Sequence, residues 1–113
     1  MRLEDGTVIT SIAPKVRNPA VETCHETGAL CEAYKLDKDV VASVCVIRSS
    51  TWGDFWILTP CGVCQERLFS YGPAVEVAVP VPGDPHKWRS LRLDEVQPHW
   101  WSNVFTDEDT NRT

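Results

Sequence analysis

The feature that most constrains the fold is a proline followed by two cysteines, in the segment Pro60-Cys61-Gly62-Val63-Cys64. It follows the apolar run at residues 55–58, which predicts a buried strand leading into a helix. Proline is favourable in the first turn of a helix, because its missing N–H would have no partner there. The free N–H groups of that turn favour negative charge, so both thiols are expected to ionise readily. Two thiolates do not complete a metal site, so a further ligand must come from elsewhere.

The further ligand is predicted in the segment Cys24-His25-Glu26, whose cysteine precedes Cys61 by 37 residues. A cysteine followed two residues later by a glutamate offers one sulfur ligand and one carboxylate that can stay off the metal. Zn²⁺ with three protein ligands keeps its fourth position for water, as in catalytic sites. The sequence therefore predicts Zn²⁺ bound by Cys24, Cys61 and Cys64, with the Glu26 carboxylate beside the metal and not bound to it.

A ligand-x-Glu segment followed by Pro-Cys-x-x-Cys is the arrangement of zinc deaminases, in which the glutamate is not a ligand. On these residues the chain resembles the cytidine deaminase family, and more closely its small members related to blasticidin S deaminase. The resemblance implies a zinc-dependent hydrolytic deaminase that releases ammonia from a cytosine nucleoside or a cytosine-containing nucleoside analogue. It further implies that activated water attacks ring atom C4, that Glu26 transfers the protons, and that the Thr59 carbonyl receives the exocyclic amine.

The resemblance also suggests where the rest of the substrate is held. In the cytidine deaminases, the loop corresponding to residues 13–23 carries an Asn-x-Glu triplet that holds the ribose. This loop has no such triplet, and Asn18 and Glu22 are the candidate substrate residues in it. A C-terminal segment crosses the active site in those enzymes, so Trp100 is a candidate to pack on the bound ring. The alternative is that Trp100 and Trp101 only anchor the end of the chain.

Three thiolates on Zn²⁺ leave a net charge of −1, which weakens the metal as a Lewis acid. Many members of the resembling family follow the second cysteine with an arginine that offsets this charge. In this chain Gln65 occupies that position, and Arg67 is expected at the surface or in an interface.

Other assignments of the ligands fit the sequence less well. In Cys31-Glu32-Ala33 the second residue after the cysteine is alanine, which cannot carry a proton. His25 as a ligand has Thr27 at the same distance, with the same difficulty. Cys31 and Cys45 are instead predicted to be small buried side chains.

Three alternatives remain open from the residues alone. Glu26 follows Thr23 by three residues, so the pair could form a capping box at the start of a helix, with no catalytic part. The three cysteines could hold a structural zinc ion, completed by His25. The protein could also bind a nucleoside without converting it.

The composition fits one domain with no nucleic-acid partner. A chain of 113 residues can form a single hydrophobic core. Its net charge of −5 argues against non-specific nucleic-acid binding, which requires a basic face. No apolar run approaches the length of a membrane span, and no segment resembles a signal peptide. We therefore expect a cytoplasmic protein that binds a small nucleoside substrate and, by its resemblance, assembles as a homodimer or homotetramer.

The order of the predicted elements indicates a layered α/β domain, which begins with a hairpin turn at Asp5-Gly6. The other elements are a helix at 26–36 with Ala29, Leu30, Ala33 and Leu36 on its buried face, strands at 40–48 and 55–58, a helix at 62–71, a strand at 75–79, a proline-rich loop at 80–85, a strand at 88–93 and a helical turn at 94–96. The resemblance implies the three-layer cytidine deaminase fold, a mixed five-stranded sheet with both zinc-bearing helices on one face. In this interpretation the family's N-terminal helix is missing from a domain at 1–106, which a polar tail at 107–113 follows.

Overall fold

The computed structural model describes residues 1–48 and 54–105. Within these ranges the strands form two sheets, and no helix is long and apolar enough to cross a membrane. The elements are β1 Arg2–Leu3, α1 Thr27–Lys35, β2 Val40–Ser43, β3 Cys45–Arg48, β4 Phe55–Leu58, α2 Gly62–Leu68, β5 Glu76–Val81, β6 Asp84–Arg92 and α3 Leu93–Val96, with 3-10 turns at Pro19–Val21, Phe69–Tyr71 and Trp101–Val104.

The main sheet has four strands in the order β1-β2-β5-β6, and its strands run both parallel and antiparallel. β2 is parallel to β5, while the β1–β2 and β5–β6 pairs are antiparallel. β3 and β4 form a separate antiparallel pair. The predicted α/β class with a mixed sheet is confirmed.

The predicted single sheet of five strands is divided differently, because the expected strand at 40–48 is interrupted at Val44. This residue is 50% exposed and separates β2 from β3. β1 is only two residues long and pairs with β2 through Arg2 and Ala42, and Leu3 and Val40. Beyond these pairs, β2 has no partner strand on the β1 side among the described residues. After Val44 the chain continues as β3, which pairs with β4.

The predicted hairpin at Asp5-Gly6 is present. Gly6 has a φ of +86°, a conformation that glycine adopts without steric cost. The Asp5 carboxylate accepts hydrogen bonds from the Thr7 N–H and from the Lys38 ammonium, and these contacts, the Lys38 bond first, lower the pKa of Asp5. The second arm of the hairpin contributes only one isolated bridge, between Val8 and Arg2.

The core lies between the main sheet and the helices. The largest fully buried side chains are Leu3, Val40, Cys64, Leu68, Val77 and Leu93. α1 contributes Ala29, Leu30 and Ala33 to this core, as predicted. Leu36 was expected beside them but is 44% exposed, because the helix ends at Lys35 and Leu36 no longer continues its buried face.

Two further expectations were wrong. Cys31 is exposed, because the side of α1 that buries Ala29, Leu30 and Ala33 turns position 31 outward. The segment at 80–85, predicted as a proline-rich loop, does not form a long loop. β5 continues to Val81 and β6 begins at Asp84, with a tight turn that places Gly83 at a φ of +81°. The predicted polar tail at 107–113 lies outside the described residues.

Leu68→Ala tests the proposed core. This change removes a side chain with 0% exposure, so we expect the free energy of unfolding to fall by about 2–5 kcal/mol in urea denaturation. Leu36→Ala is the matched control, with an expected change within about 0.5 kcal/mol because that side chain is largely solvated. Equal losses in the two variants would contradict this description of the core.

Candidate metal centre

Three cysteine sulfurs from two parts of the chain lie together, within 4.8 Å of one another. Cys24 stands three residues before α1, and its carbonyl accepts a hydrogen bond from the Thr27 N–H at 3.1 Å. Cys61 is the N-cap residue of α2, and Cys64 lies in the first turn of that helix. The Sγ atoms of Cys24 and Cys61 are 3.3 Å apart. The sequence predicted these three residues as a set, and the fold brings them together.

The spacing of the sulfurs fits a tetrahedral zinc ion. Zn–S bonds of about 2.3 Å at tetrahedral angles place sulfur atoms about 3.8 Å apart. The observed separations, from 3.3 Å to at most 4.8 Å, lie on both sides of that value. Cys64 is buried, Cys24 is half-buried and Cys61 is exposed, so the cluster is covered on one side and open on another. Soft thiolate donors in this arrangement suit zinc.

Local contacts affect the three thiols differently. The N–H groups of Cys64 and Val63, at the start of α2, point to the Cys61 sulfur, and the Cys64 N–H contributes most to lowering the Cys61 pKa. The hydrogen bond between the Cys24 and Cys61 thiols is the main cause of a raised pKa at Cys24. Burial, followed by the nearby Glu26, raises the pKa of Cys64. The expectation that both cysteines of the Pro-Cys-x-x-Cys segment ionise readily therefore holds for Cys61 only, because Cys64 has no exposed surface.

Glu26 lies against this cluster. It is 8% exposed, and its carboxylate lies beside the thiols of Cys64 and Cys45. Burial first, and then this carboxylate, raise the pKa of Cys45 to about 12. Glu26 occupies the N-cap position of α1 without making a side-chain cap bond, so the capping box with Thr23 is absent. The carboxylate is therefore directed at the sulfur cluster, whereas a helix cap would direct it at backbone N–H groups.

A cleft of about 240 Å³ leads to Glu26. Its walls are mostly apolar and come from the hairpin, from the start of α1 and from the Val44 region; they include Met1, Val8, Ile9, His25, Ala29, Val44, Cys45 and Val46. A mostly apolar cleft with one buried carboxylate is typical of a site for a small organic ligand. Cys45 was predicted to be a buried apolar residue, and it is buried, but its contact with Glu26 could not be foreseen.

The predicted substrate residues lie in several places around this cleft. The Asn18 side chain accepts the Ala20 N–H at 3.0 Å and caps the 3-10 turn Pro19–Val21. Glu22 is exposed and lines a second cavity of about 350 Å³. Thr59 is exposed, between the end of β4 and the buried Pro60. Their contacts with substrate stay predictions.

Trp100 is held against α2 and the turn that follows it. Its ring stacks on Phe69, with centroids 4.1 Å apart, and its indole N–H donates to Glu66 at 2.6 Å. The Trp101 indole donates to the same carboxylate at 3.0 Å. These contacts match the anchoring alternative, and Trp100 is not among the residues that line the Glu26 cleft. Its contact with a bound ring stays a prediction.

Gln65 and Arg67 both make contacts that hold the cluster's supporting elements. The Gln65 side chain donates to the Pro60 carbonyl at 2.7 Å, across the turn that precedes Cys61. Arg67 is exposed, as expected for a surface residue, and donates to the Thr27 hydroxyl at 2.9 Å, which connects α2 to the start of α1. A pattern of residue types does not reveal either contact, because each depends on the final packing.

Comparison with known proteins finds a solved structure that is similar to this chain in both fold and sequence. The solved structure described as "Crystal structure of the cytidine deaminase from Bacillus anthracis" matches with a TM-score of 0.84 and 43% sequence identity. The match covers 97% of this chain and 77% of that chain. No family model and no curated protein matches the chain. At this identity and coverage, the two proteins are similar in sequence as well as in fold.

The sulfur cluster predicts one zinc ion per chain. Cys61→Ser replaces a thiolate with a hydroxyl of much lower affinity for zinc, so the zinc content of the purified protein should fall sharply in elemental analysis. Cys31→Ala is the control, because this exposed cysteine lies outside the cluster, and its zinc content should equal that of the wild type. Stoichiometric zinc in the Cys61 variant would show that the ligands are assigned wrongly.

Proposed function

The chain belongs to the cytidine deaminase family, and on this premise we propose that it is a zinc-dependent hydrolytic deaminase of a cytosine nucleoside or a cytosine-containing nucleoside analogue. The observation that carries the proposal is the buried Glu26 carboxylate, which lies against the three-sulfur cluster and does not cap its helix. A resemblance to blasticidin S deaminase remains part of the proposal, since the family match does not distinguish this subgroup.

Cys24, Cys61 and Cys64 would hold the zinc ion. When bound, zinc supplies a Lewis acid that makes water nucleophilic at neutral pH. The family's reaction needs one group that first removes a proton from the attacking water and later donates protons. Glu26 meets this requirement because its carboxylate is close to the cluster and is not needed as a ligand.

In the proposed reaction, water adds to C4 of the cytosine ring, and the Glu26 carboxylate takes one proton from it and delivers it to ring nitrogen N3. Glu26 then moves the second proton to the exocyclic amine, the C4–N bond breaks, and ammonia leaves. The C4 oxygen becomes a carbonyl, so one water is consumed and one ammonia is released. The low exposure of Glu26 limits exchange of these protons with bulk water.

Recognition of the rest of the substrate is assigned by proposal to Asn18, Glu22, Thr59 and Trp100. Cytidine, deoxycytidine and blasticidin S are the first compounds to compare. Glu22 lines the cavity beside the Glu26 cleft, which supports a contact with a ring substituent. Trp100 would have to leave Phe69 and Glu66, or act from another copy of the chain.

The alternative functions require features that the site's geometry disfavours. A structural zinc ion needs a fourth protein ligand, for which His25 was the candidate. The Nδ1 atom of His25 already accepts the Ala13 N–H at 3.0 Å. A protein that only sequesters nucleosides has no use for a buried carboxylate beside a metal centre. Both alternatives predict no release of ammonia.

We also propose that the chain forms a homo-oligomer in the cytoplasm. Large apolar side chains are exposed on the β3–β4 pair and on β6, which packs against β4: Val46, Ile47, Phe55, Trp56, Leu58 and Trp88. Apolar surface on this scale is typical of a protein–protein interface. A second copy of the chain would shield these apolar side chains from water, and either a dimer or a tetramer would supply that copy.

Glu26→Gln tests the catalytic assignment. An amide cannot carry the transferred proton, so ammonia release from the cytosine nucleosides should fall by at least about 10²-fold, with unchanged zinc content. Glu32→Gln, on the exposed side of α1, is the matched control and should retain full activity. A Glu26 variant that keeps most of its activity would exclude the mechanism. A wild type that releases no ammonia from any compound of the panel would exclude the function.

Light scattering tests the assembly. We expect a dimer or tetramer for the wild type, and a shift toward the monomer for Ile47→Glu, because the change places a charge in the proposed interface. Tyr34→Glu is the control, since this side chain is 84% exposed on α1, away from the β3–β4 pair. A wild type that stays monomeric at full activity would refute the proposed assembly.

A further inference from the structure

His25, between the metal ligand Cys24 and Glu26, is held in place from two directions. Its Nδ1 atom accepts the Ala13 N–H at 3.0 Å, and its backbone carbonyl accepts the Ser11 hydroxyl at 2.6 Å. The same serine packs so closely on α1 that a Cβ atom built at Gly28 would lie 2.9 Å from the Ser11 Cβ. The chain at 11–13 is therefore fastened to the turn that carries the cluster.

The Ala13 contact determines which nitrogen of His25 carries the proton. Because Nδ1 accepts a hydrogen bond from a backbone N–H, the neutral ring has its proton on Nε2. No acceptor for this Nε2–H is found among the described residues. The side chain is exposed, so the ring presents a fixed donor to the space beside it.

Two cavities meet at this ring. His25 lines the Glu26 cleft of about 240 Å³ and also the neighbouring cavity of about 350 Å³, whose walls include Lys15, Glu22 and Thr23. Small-molecule sites usually measure about 300–1,000 Å³, so the Glu26 cleft falls below that range and the neighbouring cavity lies at its lower end. A ligand with two parts, joined beside His25, would use both.

The charges of the second cavity indicate what kind of group it takes. Lys15 and Glu22 have opposite charges, so the cavity has no net charge. A phosphate would meet the Glu22 carboxylate, whereas a neutral polyhydroxyl group can bond with both side chains and with the Thr23 hydroxyl. A sugar fits this set of partners better than a nucleotide's phosphate does.

We propose that His25 is a specificity-determining residue, whose Nε2–H donates to a sugar oxygen of the substrate while the cytosine ring lies at Glu26. The inference rests on the proposed function, which already names a nucleoside substrate, and it adds that the His25 side chain is what favours the nucleoside over the free base. Loss of this donor weakens the binding of the sugar and leaves the metal ligands in place.

Two substitutions separate the donor from the structural contact. His25→Asn keeps an acceptor at the position of Nδ1 for the Ala13 N–H but has no donor at the position of Nε2. His25→Gln places an N–H donor at that position but loses the hydrogen bond from the Ala13 N–H. A purely structural role therefore predicts damage in the Gln variant, whereas the specificity role predicts damage in the Asn variant.

The measurement is the ratio of kcat/KM for cytidine to kcat/KM for cytosine, with the affinity of the zinc-loaded protein for both compounds from calorimetry. We expect the ratio to fall by up to about tenfold in His25→Asn, mainly through KM, and to recover in His25→Gln. Zinc content should match that of the wild type in both variants.

Each other result overturns the inference. An unchanged ratio in His25→Asn, equal losses in both variants, or a loss in His25→Gln alone would show that the ring only fastens the chain at 11–13. If the wild type releases no ammonia, the proposed function fails, and calorimetry then decides this inference separately. Weaker cytidine binding in His25→Asn only would support it, and equal binding or no binding to the wild type would refute it.

Discussion

The closeness of three sulfur atoms is the constraint on which the rest of this structure depends. Sulfurs held within 4.8 Å of one another repel strongly once they ionise, so the cluster is stable only with a cation or with protons among them. The fold meets this requirement unequally. Backbone N–H groups in the first turn of α2 stabilise the Cys61 thiolate, whereas Cys64 is buried beside the Glu26 carboxylate. A divalent ion offsets the charge for all three at once.

This arrangement also explains the contacts made by the residues that follow the ligands. Gln65 carries no positive charge; its side chain holds the Pro60 carbonyl and so the turn before Cys61. Arg67 connects α2 with the start of α1 through Thr27. Both side chains secure the geometry of the two helix starts. The charge of the sulfurs would then be offset mainly by a bound ion and by the backbone N–H groups.

The parts of the structure that sequence reasoning predicted depend on local chemistry. Pro60 and the cysteines after it indicate a helix start, and Asp5-Gly6 indicates a turn, because each pattern acts within a few residues. The interruption at Val44 is different, since it depends on how far β1 extends along β2. The contacts of His25 with Ser11 and Ala13 join residues 14 and 12 positions apart, and no periodic pattern in the sequence predicts them. The prediction that Cys31 is buried was wrong, because the residue type alone does not determine which face of α1 position 31 occupies.

The division of the strands into two sheets gives the metal centre a mechanical role. Cys24 precedes a helix that packs on the main sheet, whereas β4 leads through Pro60 to Cys61. Cys45, which contacts Glu26, begins the other strand of the smaller sheet. An ion shared by these sulfurs would act as a cross-link between the two sheets, adding to the packing of β4 against β5 and β6. Loss of the ion would then loosen the smaller sheet as a unit, and its amide hydrogens would exchange with solvent sooner than those of the main sheet.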